Sequence, residues 1–256
     1  MNRTVAKVFT LLFTAAIVFT GCNKDMKSIE THTYKDRSYQ TYNLHDQARG
    51  VLVFLHGASE APFNDSDLIK ELRSYVVENQ LALIQPIGST KCSSLGLVSS
   101  VTKTCWDLRD PSMDLRYIHR LIDSIEQQAN TLFQTKHLLG YSNGGYLVGA
   151  GLQTSLLGEW SKVGIIAGGA VGTTPLTQTD GPQVFIEVGL DDRWQLEPSR
   201  TLYSHIHTLD PAPHYRETEF GHEVTRQRIR EFLSWWDQTQ LRAETPSHSS
   251  STGVTP

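Results

Sequence analysis

Cysteine is scarce in this 256-residue sequence, with only Cys22, Cys92 and Cys105. None of the three has another Cys or a His at ligand spacing, which argues against a zinc ribbon or finger. His205 and His207 form an HxH pair, a pattern that more often marks a solvated helix face than a ligand set, so no metal is expected. Basic runs are also missing. The formal net charge of −4 comes with no Arg-rich stripe, and this removes the electrostatic footprint of a nucleic-acid binder. No segment repeats at solenoid length, so a stacked-repeat architecture is excluded. What remains is enough chain for one sizeable core of catalytic-domain size.

The first residues differ from the rest. MNRTVAK carries Arg3 and Lys7, and VFTLLFTAAIVFTG then runs without a charge to Cys22. This predicts a secretory signal over residues 1–21, too short for a comfortable membrane span. FTGC resembles the lipobox of bacterial lipoproteins, with Phe19 where Leu is usual. The resemblance implies that Cys22 becomes a lipidated first residue whose acyl chains anchor a soluble domain to a membrane. Asn23 resembles the signal of lipoproteins sent to an outer membrane, so the expected location is the cell envelope, facing periplasm or exterior. Ordinary signal cleavage, or an uncleaved anchor, is the competing reading. In an exported chain the even pair Cys92 and Cys105 is expected to form a disulfide, with two buried free thiols as the alternative. Residues 22–26 read as a short linker, residues 27–242 as the domain, and the Ser/Thr/Pro-rich residues 243–256 as a disordered tail.

Within the domain, KSIETHTYKDRSYQTYNL alternates polar with apolar or aromatic residues around Lys35-Asp36, the pattern of a hairpin. VLVFLHG is a continuous apolar run of the kind buried on both faces. Helical spacing follows in LIKELRSYVVEN, a strand in LALIQPIG, an irregular stretch containing both Cys92 and Cys105, and a helix in MDLRYIHRLIDSIEQQANTLF. Then come the strand KHLLGYS, the helix NGGYLVGAGLQT, the strands KVGIIAGGA and QVFIEVG, a helix near Pro198 to Ile206, the strand HYRETEF, and the helix VTRQRIREFLSWW. Strands alternating with helices predict the α/β class, a mainly parallel central sheet with helices on both faces.

Ser142 lies between a strand-like and a helix-like run, with Gly140 and Gly144 two positions either side. In a turn tight enough to push a serine hydroxyl above a sheet, a Cβ at either position would clash. Such a hydroxyl needs a base, and the base needs an acid to orient it. After QVFIEVG come Asp191 and Asp192, and after HYRETEF come Gly221 and His222, in the order Ser, acid, His. Either aspartate fits by position, and a helix N-cap is the competing role for both. Backbone N–H groups of Asn143 and Ala58 are the expected oxyanion hole. His56 reads as a loop-packing residue.

Phe54-Leu55-His56-Gly57, Gly140-Tyr141-Ser142-Asn143-Gly144-Gly145, Gly189-Leu190-Asp191-Asp192 and Gly221-His222 together resemble the α/β-hydrolase superfamily, from about Lys27 to Trp236. The SNGG elbow, Cys105-Trp106 and the helix led by Asp114 look like the polyhydroxybutyrate depolymerase and feruloyl esterase group. That resemblance implies a secreted serine esterase without metal or organic cofactor, and an acid three residues after Gly189, hence Asp192. The chain departs from the group in the loop after Gly57, in the stretch before Asp114, and at Val188, where His is usual, so the substrate does not carry over.

The leading expectation is a lipid-anchored carboxylic-ester hydrolase with Ser142, His222 and Asp192 in the three roles, acting on a small or oligomeric ester. Trp106 and Trp194 are expected to wall an acyl or aromatic pocket, with burial of large rings as the competing reading. A peptidase of prolyl oligopeptidase type and a non-catalytic binding lipoprotein are the rivals. Oligomeric state is not written in the sequence.

Overall fold

The computed structural model describes residues 29–45, 48–58, 66–96, 103–172 and 180–243. The expected signal, Cys22 and residues 244–256 lie outside the described residues. Among the described residues, no helix is long and apolar enough to cross a membrane.

Two strands, β1 (Glu30–Tyr34) and β2 (Arg37–Tyr42), form the hairpin read from the sequence. Its turn is Lys35-Asp36, both at positive φ (48° and 64°), which matches the twist of the flanking strands. The remaining strands are β3 (Gly50–Leu55), β4 (Leu81–Pro86), β5 (Thr90–Lys91), β6 (Thr104–Cys105), β7 (Thr135–Tyr141), β8 (Lys162–Ile166), β9 (Gln183–Gly189) and β10 (His214–Thr218). Eight of the ten make one sheet in the order β1-β2-β4-β3-β7-β8-β9-β10, and from β4 onward every neighbouring pair is parallel.

The helices are α1 (Asp67–Glu78), α2 (Pro111–Ala129), α3 (Asn143–Gln153), α4 (Leu196–Ile206) and α5 (Arg226–Ala243). β3 shows why both sheet faces are covered: all six of its residues are buried, and successive side chains alternate in direction. Val51, Val53 and Leu55 pack with Leu115, Ile118 and Ile122 of α2, Leu147 of α3 and Leu202 of α4. Leu52 and Phe54 pack with Ile69 and Leu72 of α1 and Ile229, Phe232 and Trp236 of α5 on the other face. The Ser66 hydroxyl caps α1 through the Ile69 N–H at 3.3 Å, and Pro111 opens α2.

Two stretches differ from their sequence reading. KVGIIAGGA ends as a strand at Ile166, and Ala167 turns to φ 50°. Gly168 and Gly169 then let the chain pass against Gly145 of α3 and Pro198 of α4, where a Cβ would collide with backbone. The stretch with both cysteines forms the ribbon β5/β6 instead of an irregular loop.

Buried His137 lies near the start of β7, edge-on to Trp236 at 6.0 Å. Burial, with Lys162 beside it, lowers its pKa from 6.5 to about 4. The unfolded chain therefore takes up a proton at this site before the folded one does. Stability should fall as pH drops from about 6.5 to about 4, by on the order of 3 kcal/mol for this group alone, and level off below. Urea midpoints at several pH values would show it, and His137→Leu should flatten that slope.

Candidate active site

The strand β7 ends at Tyr141 and α3 begins at Asn143, so Ser142 is the whole connection. It sits at φ 53°, ψ −117°, a conformation costly for a non-glycine residue, and the Ser142 N–H donates to Ile166 O at 2.9 Å to help hold it. The flanking glycines are required sterically. A Cβ on Gly140 would strike the Gly144 carbonyl, and one on Gly144 would strike the carbonyls of Leu55 and His56.

Ser142 Oγ lies 3.0 Å from His222 Nε2, and His222 Nδ1 lies 2.7 Å from Asp192 Oδ2. A carboxylate facing Nδ1 fixes the proton there, leaving Nε2 to accept from the serine hydroxyl. Asp192 is buried at the end of β9, whereas Asp191 is exposed and Asp192 alone reaches the imidazole. Asp192 Oδ1 is buried without a hydrogen-bond partner among the described residues.

The loop after β3 crosses close over Ser142: a Cβ on Gly57 would stand 3.0 Å from Ser142 Cβ. Ala58 follows it, and Asn143 is the first residue of α3, where helix geometry leaves the N–H without an intrahelical acceptor. Both amides therefore lie on chain segments that border the serine. The buried His56 holds this loop, its Nδ1 facing Gly57 O and its Nε2 accepting from the Gly88 N–H at 2.9 Å. Burial lowers the His56 pKa to about 4, so it is neutral and shares the acid-sensitive window of His137.

Trp106 requires a correction. It is fully buried, and its indole N–H donates to His56 O at 2.9 Å, so it braces the loop after β3 and does not wall an open pocket. Its backbone is clamped by the Asn143 side chain, which accepts from the Trp106 N–H at 2.7 Å and donates to Trp106 O at 3.4 Å. Asp114, in the first turn of α2, receives Arg37 at 2.7 Å and the Asp107 N–H at 2.9 Å, and Arg37 lies over the Tyr117 ring. Trp194, by contrast, is 85% exposed two residues after Asp192.

The Cys92–Cys105 disulfide closes the β5/β6 ribbon directly before Trp106. With its ends separated by 13 positions in sequence, removal by Cys92→Ser/Cys105→Ser should cost about 3 kcal/mol on chain entropy. Chemical unfolding of the oxidised and doubly substituted proteins would measure it. His205 faces the Gln153 side chain of α3, and His207 faces Ser204 O of α4. Among the described residues no group of three His, Cys, Asp or Glu converges as a metal site.

Three contributors went unread in the sequence: the Asn143 side chain, Tyr141, and the pair Glu187–Arg228. Tyr141 donates its hydroxyl to His222 O at 2.8 Å, and burial raises its pKa to about 12.

A wound sheet with a serine at the β7–α3 turn, an acid after β9 and a histidine after β10 is the α/β-hydrolase fold. Solved structures agree. YahD, determined with malic acid, superposes with a TM-score of 0.60 at 15% identity, over 79% of this chain and 99% of that one. A carboxylesterase from Mesorhizobium loti gives 0.59 at 14% identity, over 80% and 98%. The Bacillus cereus carboxylesterase gives 0.58 at 15%, over 84% and 95%. No protein-family model and no curated protein sequence matches the chain.

Proposed function

We propose that this protein is a serine hydrolase that cleaves carboxylic esters through an acyl-enzyme on Ser142. The observation that carries the reading is the continuous line Ser142 Oγ, His222 imidazole, Asp192 carboxylate, at 3.0 and 2.7 Å. In the first half-reaction His222 Nε2 takes the hydroxyl proton as Ser142 Oγ bonds to the ester carbonyl carbon. The carbonyl oxygen gains charge, for which the N–H groups of Ala58 and Asn143 are the donors. His222 then passes its proton to the departing alcohol. In the second half a water, deprotonated by the same imidazole, releases the acid and restores Ser142.

Carboxylesterases among the structural neighbours favour ester over amide chemistry. The resemblance does not fix the acyl group, and rates on short acyl esters, hydroxyalkanoate oligomers and methyl ferulate would assign it. Export and acylation at Cys22 belong to the same proposal and rest on the N-terminal sequence alone. An active-site fluorophosphonate should label the wild-type protein and not Ser142→Ala, and p-nitrophenyl esters should be cleaved well above peptide amides. Absence of labelling would leave a binding protein, and preference for amides a peptidase. Loss of radiolabelled palmitate in Cys22→Ala would test the anchor.

A further inference from the structure

The catalytic geometry described above depends on a histidine carried by a loop, between the end of β10 at Thr218 and the start of α5 at Arg226. Loops wander, and an imidazole displaced by about 1 Å loses on the order of a hundredfold in rate. The three consecutive carbonyls at the centre of this loop are each held. Arg228 Nη1 donates to Gly221 O at 2.7 Å and to Glu223 O at 3.0 Å. The Tyr141 hydroxyl donates to His222 O at 2.8 Å, and its ring lies 5.5 Å from the imidazole.

Both donors tie the loop to the rest of the site. Tyr141 immediately precedes the nucleophile. Arg228 is fully buried, and its Nε donates at 2.8 Å to Oε1 of Glu187, which is also fully buried, in the strand that leads to Asp192. Arg216 binds the other oxygen of Glu187. The Arg228 guanidinium lies 5.6 Å from the ring of Phe220, just before the base. Gly189 completes the arrangement: any Cβ there would collide with the Phe220 carbonyl, so the loop rests directly on the end of β9.

A buried carboxylate–guanidinium pair is expensive to desolvate and is a weak source of stability by itself. Here the guanidinium has a second task. We infer that Tyr141 and Arg228, the latter anchored by Glu187, are positioning residues that lock the His222 loop onto the strands bearing the nucleophile and the acid. This deepens, and rests on, the serine-hydrolase reading.

Two conservative variants separate positioning from folding. Tyr141→Phe removes only the hydroxyl on His222 O. Arg228→Lys keeps a positive charge but cannot place one nitrogen on Glu187 and another on the loop carbonyls, as Nε and Nη1 do. The measurements are kcat and KM on p-nitrophenyl acetate, thermal midpoint, and the tautomer of His222 from its ring nitrogen shifts by NMR. Each variant should lose about tenfold in kcat with KM unchanged. Each should also convert a single Nδ1–H tautomer into a mixture while melting within about 4 °C of wild type. Wild-type kcat and a single tautomer in both variants would overturn the inference and leave the hydrolase reading untouched. Mixed tautomers in the variants, with no ester cleaved even by the wild type, would uphold the loop lock and discard the hydrolase instead.

Discussion

Ser142→Ala should lower kcat on a soluble ester by about 10⁶, and His222→Ala by a similar factor. The triple variant lacking Ser142, His222 and Asp192 together should be no slower than either, because the three groups act as one unit. Without the serine there is nothing for the imidazole to deprotonate, and without the imidazole the hydroxyl stays protonated. Asp192→Asn should cost about 10⁴, since an amide can present its N–H to Nδ1 and favour the wrong tautomer. Asp191→Asn should stay within about twofold of wild type, as an exposed substitution away from the proton path. Burst kinetics with a p-nitrophenyl ester, and steady-state rates for all five proteins, would decide it. Equal losses at the two aspartates would show that the acid is not the residue that now faces His222, and full activity in Ser142→Ala would remove the acyl-enzyme altogether.

What could be read in advance was whatever local sterics or chain order dictate. The glycines at 140 and 144 announce a turn that admits no Cβ, and the backbone carbonyls they touch are those of Gly144, Leu55 and His56. Period-2 patterning placed the hairpin, and apolar runs placed the buried strands β3, β7 and β9. The choice between Asp191 and Asp192 was open by position alone, because adjacent residues in a turn differ in direction and a turn's direction is set by distant contacts.

The supporting residues were hidden for a related reason. Trp106 follows a cysteine in a stretch without periodicity, and its burial depends on His56, Asn143 and Arg37, none of them near it in sequence. Arg228 sits among Arg226 and Arg230 and reads as one more charge on a solvated helix. Only its phase separates it: Arg226 and Arg230 point outward to Glu71, while Arg228 is buried beside Ile229. A sharper signal was Glu187 itself, a carboxylate inside the apolar run QVFIEVG. A central strand that carries a charge must bring a counter-charge from elsewhere in the chain.

That counter-charge sets the second large effect. Glu187→Leu should destabilise the fold by about 3–5 kcal/mol, because it leaves the charge of the fully buried Arg228 without its carboxylate. Arg216, 27% exposed, can turn toward solvent, so the penalty falls mainly on Arg228. For a domain of this size the thermal midpoint should drop by ~10 °C. Adding Arg228→Met removes the stranded charge and should return much of the lost stability, as when buried ion pairs are replaced by apolar groups. Activity should not return with it. The carbonyls of Gly221 and Glu223 would still lack their donor, so kcat measured well below the midpoint should stay about tenfold or more below wild type. Urea unfolding and ester kinetics on the single and double variants test the two halves separately. A Glu187→Leu protein within 1 kcal/mol of wild type would mean that water already reaches Arg228. A double variant with wild-type kcat would mean that the loop keeps its imidazole in place unaided.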